Sequence, residues 1–243
     1  MTKQKAFTIS EILITLGIIG VVAAITLPAV INNIRAYSYQ SKLKKVYSNL
    51  QKAFVLMKAD MGIENIGSYY ANSNKNEFFT RYPSYFHTIK TFPLHYDGFT
   101  ATNYTNNHTF YSKETGGTCN PFPFNTNTKT YILKDGSSFN LIINSYRAYI
   151  TVDLNGPYKK PNRMGYDIFV FSISKSTDKI VPLKAKIYSN EAFQKLSSGD
   201  RVLSYPCSKN LNYSLNGCGC AWYALNDVNP DDSSKNYWKT LEW

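Results

Sequence analysis

The feature that most constrains this chain is an uncharged apolar run near its N-terminus, from Ile12 to Ile31. Twenty helical residues rise about 30 Å, the thickness of the hydrocarbon core of a bilayer. Lys3 and Lys5 precede the run, and positively charged flanks stay on the cytoplasmic side of a membrane. The pattern predicts one membrane-spanning helix, with the N-terminus inside and the remaining chain outside the cytoplasmic (inner) membrane.

A cleaved secretory signal peptide is the first alternative for this run. Such peptides have an apolar core of about 7–15 residues, followed by small residues at the cleavage site. The run here is longer, and Thr26, Leu27 and Pro28 follow Ala23 and Ala24. A lasting membrane anchor therefore fits the sequence better than ordinary signal cleavage.

An acidic residue, Glu11, stands at the start of the run. A carboxylate near the bilayer centre costs about 2.5–3.5 kcal/mol, so an acid within a membrane helix indicates a function. Residues 5–11 read Lys-Ala-Phe-Thr-Ile-Ser-Glu. This segment resembles the prepilin cleavage and methylation segment of type IV pilins and type II secretion pseudopilins. In that family a short basic leader ends in a small residue, and Phe-Thr-x-x-Glu and an apolar helix follow.

The resemblance implies that a prepilin peptidase cuts between Ala6 and Phe7 and that the new amino group of Phe7 is methylated. Glu11 stands where the family places its acid, and Pro28 stands where the family often has a proline. The leader ends in Ala6, whereas the family usually has glycine there. The implied partners are other pilin or pseudopilin subunits, the peptidase and the membrane.

The charges and small residues of this segment predict how subunits would assemble. Cleavage creates a cationic amine on Phe7, and Glu11 of a neighbouring subunit could neutralise it in a lipid-like filament core. Gly17 and Gly20 lie one turn apart and leave a shallow groove for helix packing. Pro28 lacks a backbone donor, so we expect a kink or a loosened turn there. Glycine and proline are also commoner in membrane helices in general.

Beyond the apolar run the sequence predicts that the helix continues. Apolar residues recur at helical spacing from Leu43 to Met57, and the lysines that fall off this stripe are Lys42, Lys44, Lys45 and Lys52. We expect one helix from Phe7 to about Asp60, ending near Gly62, whose outer half buries one face. The lysines could bind anionic headgroups or DNA, but a solvated face is the simpler interpretation.

A set of β-strands is predicted after residue 129. The first two form a hairpin around an Asp135-Gly136 turn. The predicted strands are 130–134, 139–143, 146–152, 166–173 and 179–186. An antiparallel sheet needs one covered face, which the stripe of the helix can supply. The predicted fold is α+β, with a long helix packed on an antiparallel head, and the resemblance implies the same pilin-like layout.

The chain divides into six predicted segments. They are a leader at 1–6, a membrane or filament-core helix at 7–31, an amphipathic helix at 32–62, a loop-rich insertion at 63–128, the sheet at 129–190 and a disulfide-tied C-terminal segment at 191–243.

Four cysteines lie on the predicted outer side of the membrane, where disulfides form: Cys119, Cys207, Cys218 and Cys220. A bridge between Cys218 and Cys220 would close a tiny strained ring. We therefore expect Cys119 to pair with one of these two and Cys207 with the other. A zinc site made of all four is the alternative, although zinc sites normally use paired Cys-x₂₋₄-Cys motifs.

One loop offers a weak metal candidate. Asp153, Asn155 and Asp167 carry oxygen donors that could converge on Ca²⁺, and some pseudopilins carry a calcium loop in their heads. The loop lacks the EF-hand pattern, and basic residues within it oppose a cation. Asx turns between strands explain the three residues more simply. No other cofactor is expected.

The sequence contains no G-x-S-x-G, P-loop or dinucleotide motif, so we expect a structural protein and not an enzyme. The predicted function is a pilin or pseudopilin subunit of a type IV pilus-like or type II secretion filament. The net charge of +11 motivates one alternative, a DNA-binding minor pilin of an uptake (competence) pilus. Another alternative is a single-pass, membrane-anchored extracytoplasmic protein that does not polymerise. The sequence does not separate a pilus from a secretion pseudopilus.

Overall fold

One long helix organises the molecule. The computed structural model describes residues 8–66, 69, 75–92, 129–143, 148–159, 161–174, 178–185, 206–211 and 216–241. Helix α1 (Ile9–Met61) has 53 residues and rises about 80 Å. It ends at Gly62, which adopts the left-handed conformation with φ 61° and donates its N–H to the carbonyl of Ala59. The predicted end of the helix is confirmed, but the helix begins at Ile9, two residues later than predicted, because Thr8 is its extended N-cap.

The outer half of α1 buries one face against the head. The buried residues are Ala36, Leu43, Val46, Leu50, Ala53, Phe54 and Met57, so the predicted apolar stripe is confirmed. Tyr47 lies beside this stripe and stacks on Phe171, with ring centroids 5.5 Å apart. At the far end, Lys58 forms an ion pair with Asp178, whose other oxygen accepts from the backbone N–H of Ile66 at 2.9 Å. The head is therefore attached along the whole outer half of the helix.

Among the described residues, the head contains a six-stranded antiparallel sheet in which every strand pairs with its neighbour along the chain. The strands are β1 (Thr88–Phe92), β2 (Thr130–Leu133), β3 (Ser138–Ile143), β4 (Ala148–Asp153), β5 (Ile168–Ser174) and β6 (Lys179–Pro182). Strands β2 to β6 confirm the predicted meander. Strand β1 lies in the segment predicted to be a loop-rich insertion. It is short, and its pairing with β2 shifts register between Thr88 and Lys90.

Both faces of the central strands are buried. Phe139, Leu141, Ile150, Val152, Phe169 and Phe171 belong to the core that contains the stripe of α1. Tyr149, Thr151, Ile168 and Val170 alternate with core residues along β4 and β5 and are buried as well. The nearly continuous apolar run of β5 is typical of a strand that is covered on both faces.

Short helices and the C-terminal segment complete the described head. Helix α2 (Lys75–Arg81) leads into a 3₁₀ turn (Tyr82–Tyr85), and the Tyr82 hydroxyl donates to the carbonyl of Leu50 at 3.0 Å. Near the C-terminus, a 3₁₀ turn (Cys218–Cys220) precedes α3 (Ala221–Asn226), and a last 3₁₀ turn spans Trp238–Thr240.

The last described turn packs against β5. The indole N–H of Trp238 donates to the carbonyl of Ala224 at 2.8 Å, and its ring lies 5.7 Å from that of Phe169. The hydroxyl of Tyr237 donates to the carbonyl of Gly165 at 2.5 Å. These contacts hold the C-terminal segment on the helix side of the sheet.

One edge of the sheet is closed by α1. The carbonyl of Ile180 in β6 accepts from the hydroxyl of Tyr47 at 3.1 Å and from the side-chain amide of Gln51. Pro182, the last residue of β6, has no backbone N–H to offer. Strand β6 therefore presents few open hydrogen-bonding groups at its outer edge.

Candidate functional site

The N-terminus of α1 forms a capping box that holds Glu11. Thr8 is the N-cap, and its hydroxyl oxygen accepts from the backbone N–H of Glu11 at 3.2 Å. In return, the backbone N–H and the hydroxyl of Thr8 donate to one carboxylate oxygen of Glu11 at 2.8 and 2.9 Å. The acid thus lies at the positive end of the helix dipole. Sequence reasoning placed Thr8 in the cleavage segment but missed its role as N-cap, although Thr-x-x-Glu before an apolar run is the signature of a capping box.

The inner half of α1 is a bare apolar rod. Its most apolar window has a mean hydropathy of 2.5, and none of that window is buried within the molecule. The hydroxyls of Thr15 and Thr26 donate to the carbonyls of Ile12 and Val22, each at 2.9 Å. The helix thus satisfies these hydroxyls internally, as a lipid environment requires. By length and composition, α1 is able to cross a membrane.

The small residues of the rod face open space. A Cβ atom added at Gly17 or Gly20 would meet nothing within 4 Å. The chain's own packing therefore does not require glycine at either position. Pro28 lies inside α1, which continues through it as one helix. The predicted processing residues, Ala6 and Phe7, lie outside the described residues.

Two turns of the head meet α1 just beyond the rod. The turn 134–137 contacts the helix through Asp135. The backbone carbonyl of Asp135 accepts from the Lys42 ammonium at 3.4 Å, and its carboxylate lies 3.6 Å from the Lys45 ammonium. The loop 154–159 contacts it through Asn155, which donates to the hydroxyl of Tyr39 at 2.9 Å.

The two turns also touch each other. Gly156 has φ +83°, and a Cβ atom there would lie 2.5 Å from the carbonyl oxygen of Gly136. We call the turn 134–137, the loop 154–159 and residues 35–45 of α1 the head base.

The carboxylates predicted as weak calcium ligands serve as hydrogen-bond acceptors within this region. Asp153 accepts from the backbone N–H groups of Asn155 and Gly156 at 3.1 and 2.9 Å. Asp167 accepts from the backbone N–H groups of Asn162 and Arg163 at 2.8 and 2.6 Å. The bonds of Asp153 form the Asx turn that the sequence favoured, whereas Asp167 instead accepts from residues that precede it in the loop. Calcium binding stays a prediction.

Burial perturbs the titrating groups of this region. Removal from water, reinforced by the neighbouring Asp153, raises the pKa of Asp167 well above its ordinary value. The bonds between Asp167 and backbone N–H groups oppose this shift but do not reverse it. Burial, with the nearby Asp167, also raises the pKa of Tyr39 to about 12. A buried carboxylate with a raised pKa is a group whose ionisation opposes folding.

The asparagine Asn162 has a buried side-chain oxygen without a hydrogen-bond partner among the described residues. Its amide N–H donates to the carbonyl of Pro157 at 3.1 Å.

Within the described part of the chain, no group of three or more His, Cys, Asp or Glu residues is placed to hold a metal ion.

A groove runs along the helix on the β2–β3 side of the head. It has a volume of about 450 Å³ and is lined by Lys45, Asn49, Lys52, Ala53, Leu56, Tyr85, Phe86, His87, Leu133, Lys134 and Asp135. Lysine side chains and aromatic rings thus share this surface.

The described cysteines are oxidised. Cys207 and Cys220 form a disulfide with their Cα atoms 5.2 Å apart, in agreement with one of the two expected pairings for Cys207. Cys218 is also in a disulfide, so none of the three described cysteines is a free thiolate for zinc. Cys119 lies outside the described residues, and its predicted pairing stays a prediction.

Comparison with known proteins identifies one match. The family model described as the prokaryotic N-terminal methylation motif matches residues 1–27. This motif is the signal of type IV pilins and pseudopilins, so the resemblance stated from the sequence is confirmed at the level of the motif. No curated protein and no solved structure gives a significant match to the chain.

Proposed function

We propose that this chain is the precursor of a structural filament subunit, a pilin or pseudopilin, and not an enzyme. In this proposal a prepilin peptidase cuts it between Ala6 and Phe7, and the mature subunit assembles through α1. One observation supports the proposal most. The methylation motif coincides with a helix whose inner half no part of the described head covers, and this bare rod carries a single acid at its tip.

In the proposed assembly, Glu11 sets the axial position of each subunit relative to its neighbour. In the isolated chain Thr8 supplies the donors to the Glu11 carboxylate. Cleavage would place the cationic amine of Phe7 directly before this capping box. Inside a filament of apolar helices, an unpaired charge would cost several kcal/mol, so subunits would settle where the amine of one meets Glu11 of the next.

The proposal places the chain across the inner membrane before assembly, with its N-terminus in the cytoplasm and its head outside. After extraction the apolar rods would form the filament core, and the heads would form its surface. Type IV pilus-like and type II secretion filaments both fit this proposal, since partners encoded elsewhere set that difference.

The first experiment compares Glu11→Ala with Glu64→Ala, a matched loss of an exposed glutamate in the head. Each variant is expressed with the filament machinery of its own host, and sheared filaments are separated from membranes. We expect Glu11→Ala to remain in the membrane fraction and Glu64→Ala to enter filaments like the natural chain. Normal incorporation of Glu11→Ala would favour the plain membrane anchor.

The second experiment determines the mature N-terminus by mass spectrometry of protein from native membranes. We expect a chain that begins at methylated Phe7. A chain that still begins at Met1, in cells with an active prepilin peptidase, would contradict the proposed processing.

A second candidate function is capture of DNA by the head. The groove beside α1 favours it, because lysines attract phosphates and aromatic rings stack on bases. The test measures DNA binding by the full chain against salt concentration. We expect Lys52→Gln in the groove to lower the salt slope by about 1, whereas Lys179→Gln outside it leaves the slope unchanged. Binding that does not depend on salt would reject this candidate.

A further inference from the structure

The position of the head along α1 sets its distance from the membrane. Ile31 ends the apolar run and so marks the edge of the hydrocarbon core. Ala36 is only 5% exposed, so the head already covers the helix there. Five residues of helix correspond to about 8 Å. Because the headgroup layer is about 6 Å thick on each side, the head base begins at the outer limit of the headgroups.

The head base directs its cations outward. Arg35, Lys134 and Lys159 are exposed. Two tyrosines accompany them, since Tyr37 is 73% and Tyr158 is 63% exposed. Tyrosine is enriched where proteins meet the membrane–water interface, and lysine side chains extend toward headgroups.

The acids of the same region are turned inward. Asp153 and Asp167 are fully buried and accept from backbone N–H groups. Asp135 is an exposed residue, but its carboxylate lies beside Lys45, and its side chain is only 25% exposed. A surface with exposed cations and tyrosines, and with acids that are either buried or paired with a lysine, is complementary to anionic lipid.

We propose that the head base is a membrane-surface contact that binds the anionic headgroups of the leaflet from which α1 emerges. This contact holds the head against the bilayer while the chain is a membrane protein, and it has to be released when the chain leaves the membrane. The inference goes beyond the proposed function. It requires that α1 crosses a bilayer, but it holds or fails whether or not the chain forms filaments.

The test is amine footprinting of the unassembled full chain in nanodiscs. One set of discs contains only phosphatidylcholine, and the other contains phosphatidylcholine with about 30% phosphatidylglycerol. Mass spectrometry follows the acetylation rate of each lysine. We expect Lys134 and Lys159 to react about fivefold more slowly in the anionic discs, with the difference lost at high salt. Two other exposed lysines provide the internal controls. Lys179 follows Asp178, which binds Lys58 at the far end of α1, and Lys129 precedes Thr130, which pairs with Asn140 within β3.

Three outcomes would overturn the inference. Equal rates in the two lipids would show that anionic headgroups are not bound. Shielding that persists unchanged at high salt would indicate steric coverage alone. Equal shielding of Lys129 and Lys179 would mean that the head lies on its side.

A pair of variants tests the surface itself. We expect the double substitution Lys134→Gln with Lys159→Gln to abolish the lipid-dependent hydrogen-exchange protection of residues 154–159. The matched double substitution Lys129→Gln with Lys179→Gln should keep it. Thermal unfolding in neutral discs checks that both variants fold. If the first pair keeps the lipid dependence, the assignment of the contact to the head base is wrong.

Discussion

The two halves of α1 share one secondary structure but bury their side chains in different partners. In the outer half an apolar stripe faces the sheet, and lysines occupy much of the remaining surface. In the inner half apolar residues surround the helix, and none of them is buried within the molecule. The outer half therefore stabilises the head, whereas the inner half leaves its apolar surface uncovered by the described head.

The difference shows that the head depends on only one half of the helix for its burial. Capping illustrates the point. Gly62 ends the helix by a local backbone preference, while the Thr8–Glu11 box at the other end holds a carboxylate at the tip of the bare rod. Mutations in the two halves should thus have separable effects on folding and on assembly.

The largest contrast is expected from truncating an apolar residue in each half. Phe54 is 1% exposed, and Ile19 is 63% exposed. We expect Phe54→Ala to lower the free energy of unfolding of the head by about 3–5 kcal/mol, because it leaves a cavity in a packed core. Ile19→Ala should leave that free energy unchanged. Chemical denaturation of the full chain in detergent micelles, followed by near-UV circular dichroism, measures both. Similar losses would remove the distinction between the halves.

Glycine substitutions sharpen the contrast. Gly156→Ala forces a Cβ atom to within 2.5 Å of the Gly136 carbonyl oxygen at a positive φ, so we expect a loss of about 2 kcal/mol or more. Gly17→Ala meets open space, so head stability should not change. Its expected effect is a lower yield of filaments, since helices pack less closely. The same denaturation assay and a filament shearing assay provide the two measurements. A stable Gly156→Ala head would contradict the close approach of the two turns.

The head that packs on the outer half of α1 should also have a pH-dependent stability. The pKa of Asp167 is raised in the folded head, so the folded state holds a proton that the unfolded state releases above about pH 4. Its contribution is fully present below that pH and is lost as pH rises through the folded-state pKa, by at most about 1.4 kcal/mol per pH unit. Denaturation curves from pH 5 to 8 measure the slope. Asp167→Asn should flatten it, and an unchanged slope in that variant would assign the dependence elsewhere.

The smallest effect is expected at the first turn of the inner half. Thr8→Ala removes the capping box and should cost about 1 kcal/mol of local helix stability. Faster hydrogen exchange of the amides of residues 9–12 in micelles would reveal it. Ser48→Ala, an exposed serine within the outer half, is the control. Unfolding of the head should be the same in both variants, and a destabilised head in Thr8→Ala would show coupling between the halves.

The parts of the fold that could be predicted from the sequence depend on local patterns. Helical spacing and the glycine at 62 sufficed for α1, and the Asp135-Gly136 turn located the first hairpin. Strand β1 could not be found in this way, because five residues with a shifted register contain too little alternation. Strand β5 begins at Ile168, later than predicted, because Asp167 accepts from backbone N–H groups in the preceding loop.

In the candidate site, too, some residues could be predicted from local sequence patterns and others could not. Glu11, Gly17, Gly20 and Pro28 lie within one short segment, so a local pattern in the sequence is enough to reveal their motif. The head base joins residues from α1, the 134–137 turn and the 154–159 loop, and the Lys42–Asp135 contact spans 93 positions of the chain. No local pattern reports a contact of that separation. The head base could therefore be recognised only from the three-dimensional structure.

The closed edge of β6 has a consequence for how densely such heads can be crowded. An open strand edge recruits other strands, and the hazard grows with local concentration. Tyr47 and Gln51 occupy the Ile180 carbonyl from the side of the helix, and Pro182 removes a donor at the end of the strand. The side chains that attach α1 to the head thus also protect the outer edge of β6 from pairing with strands of other molecules. A molecule whose heads are packed side by side can tolerate that proximity along β6 without its sheets fusing.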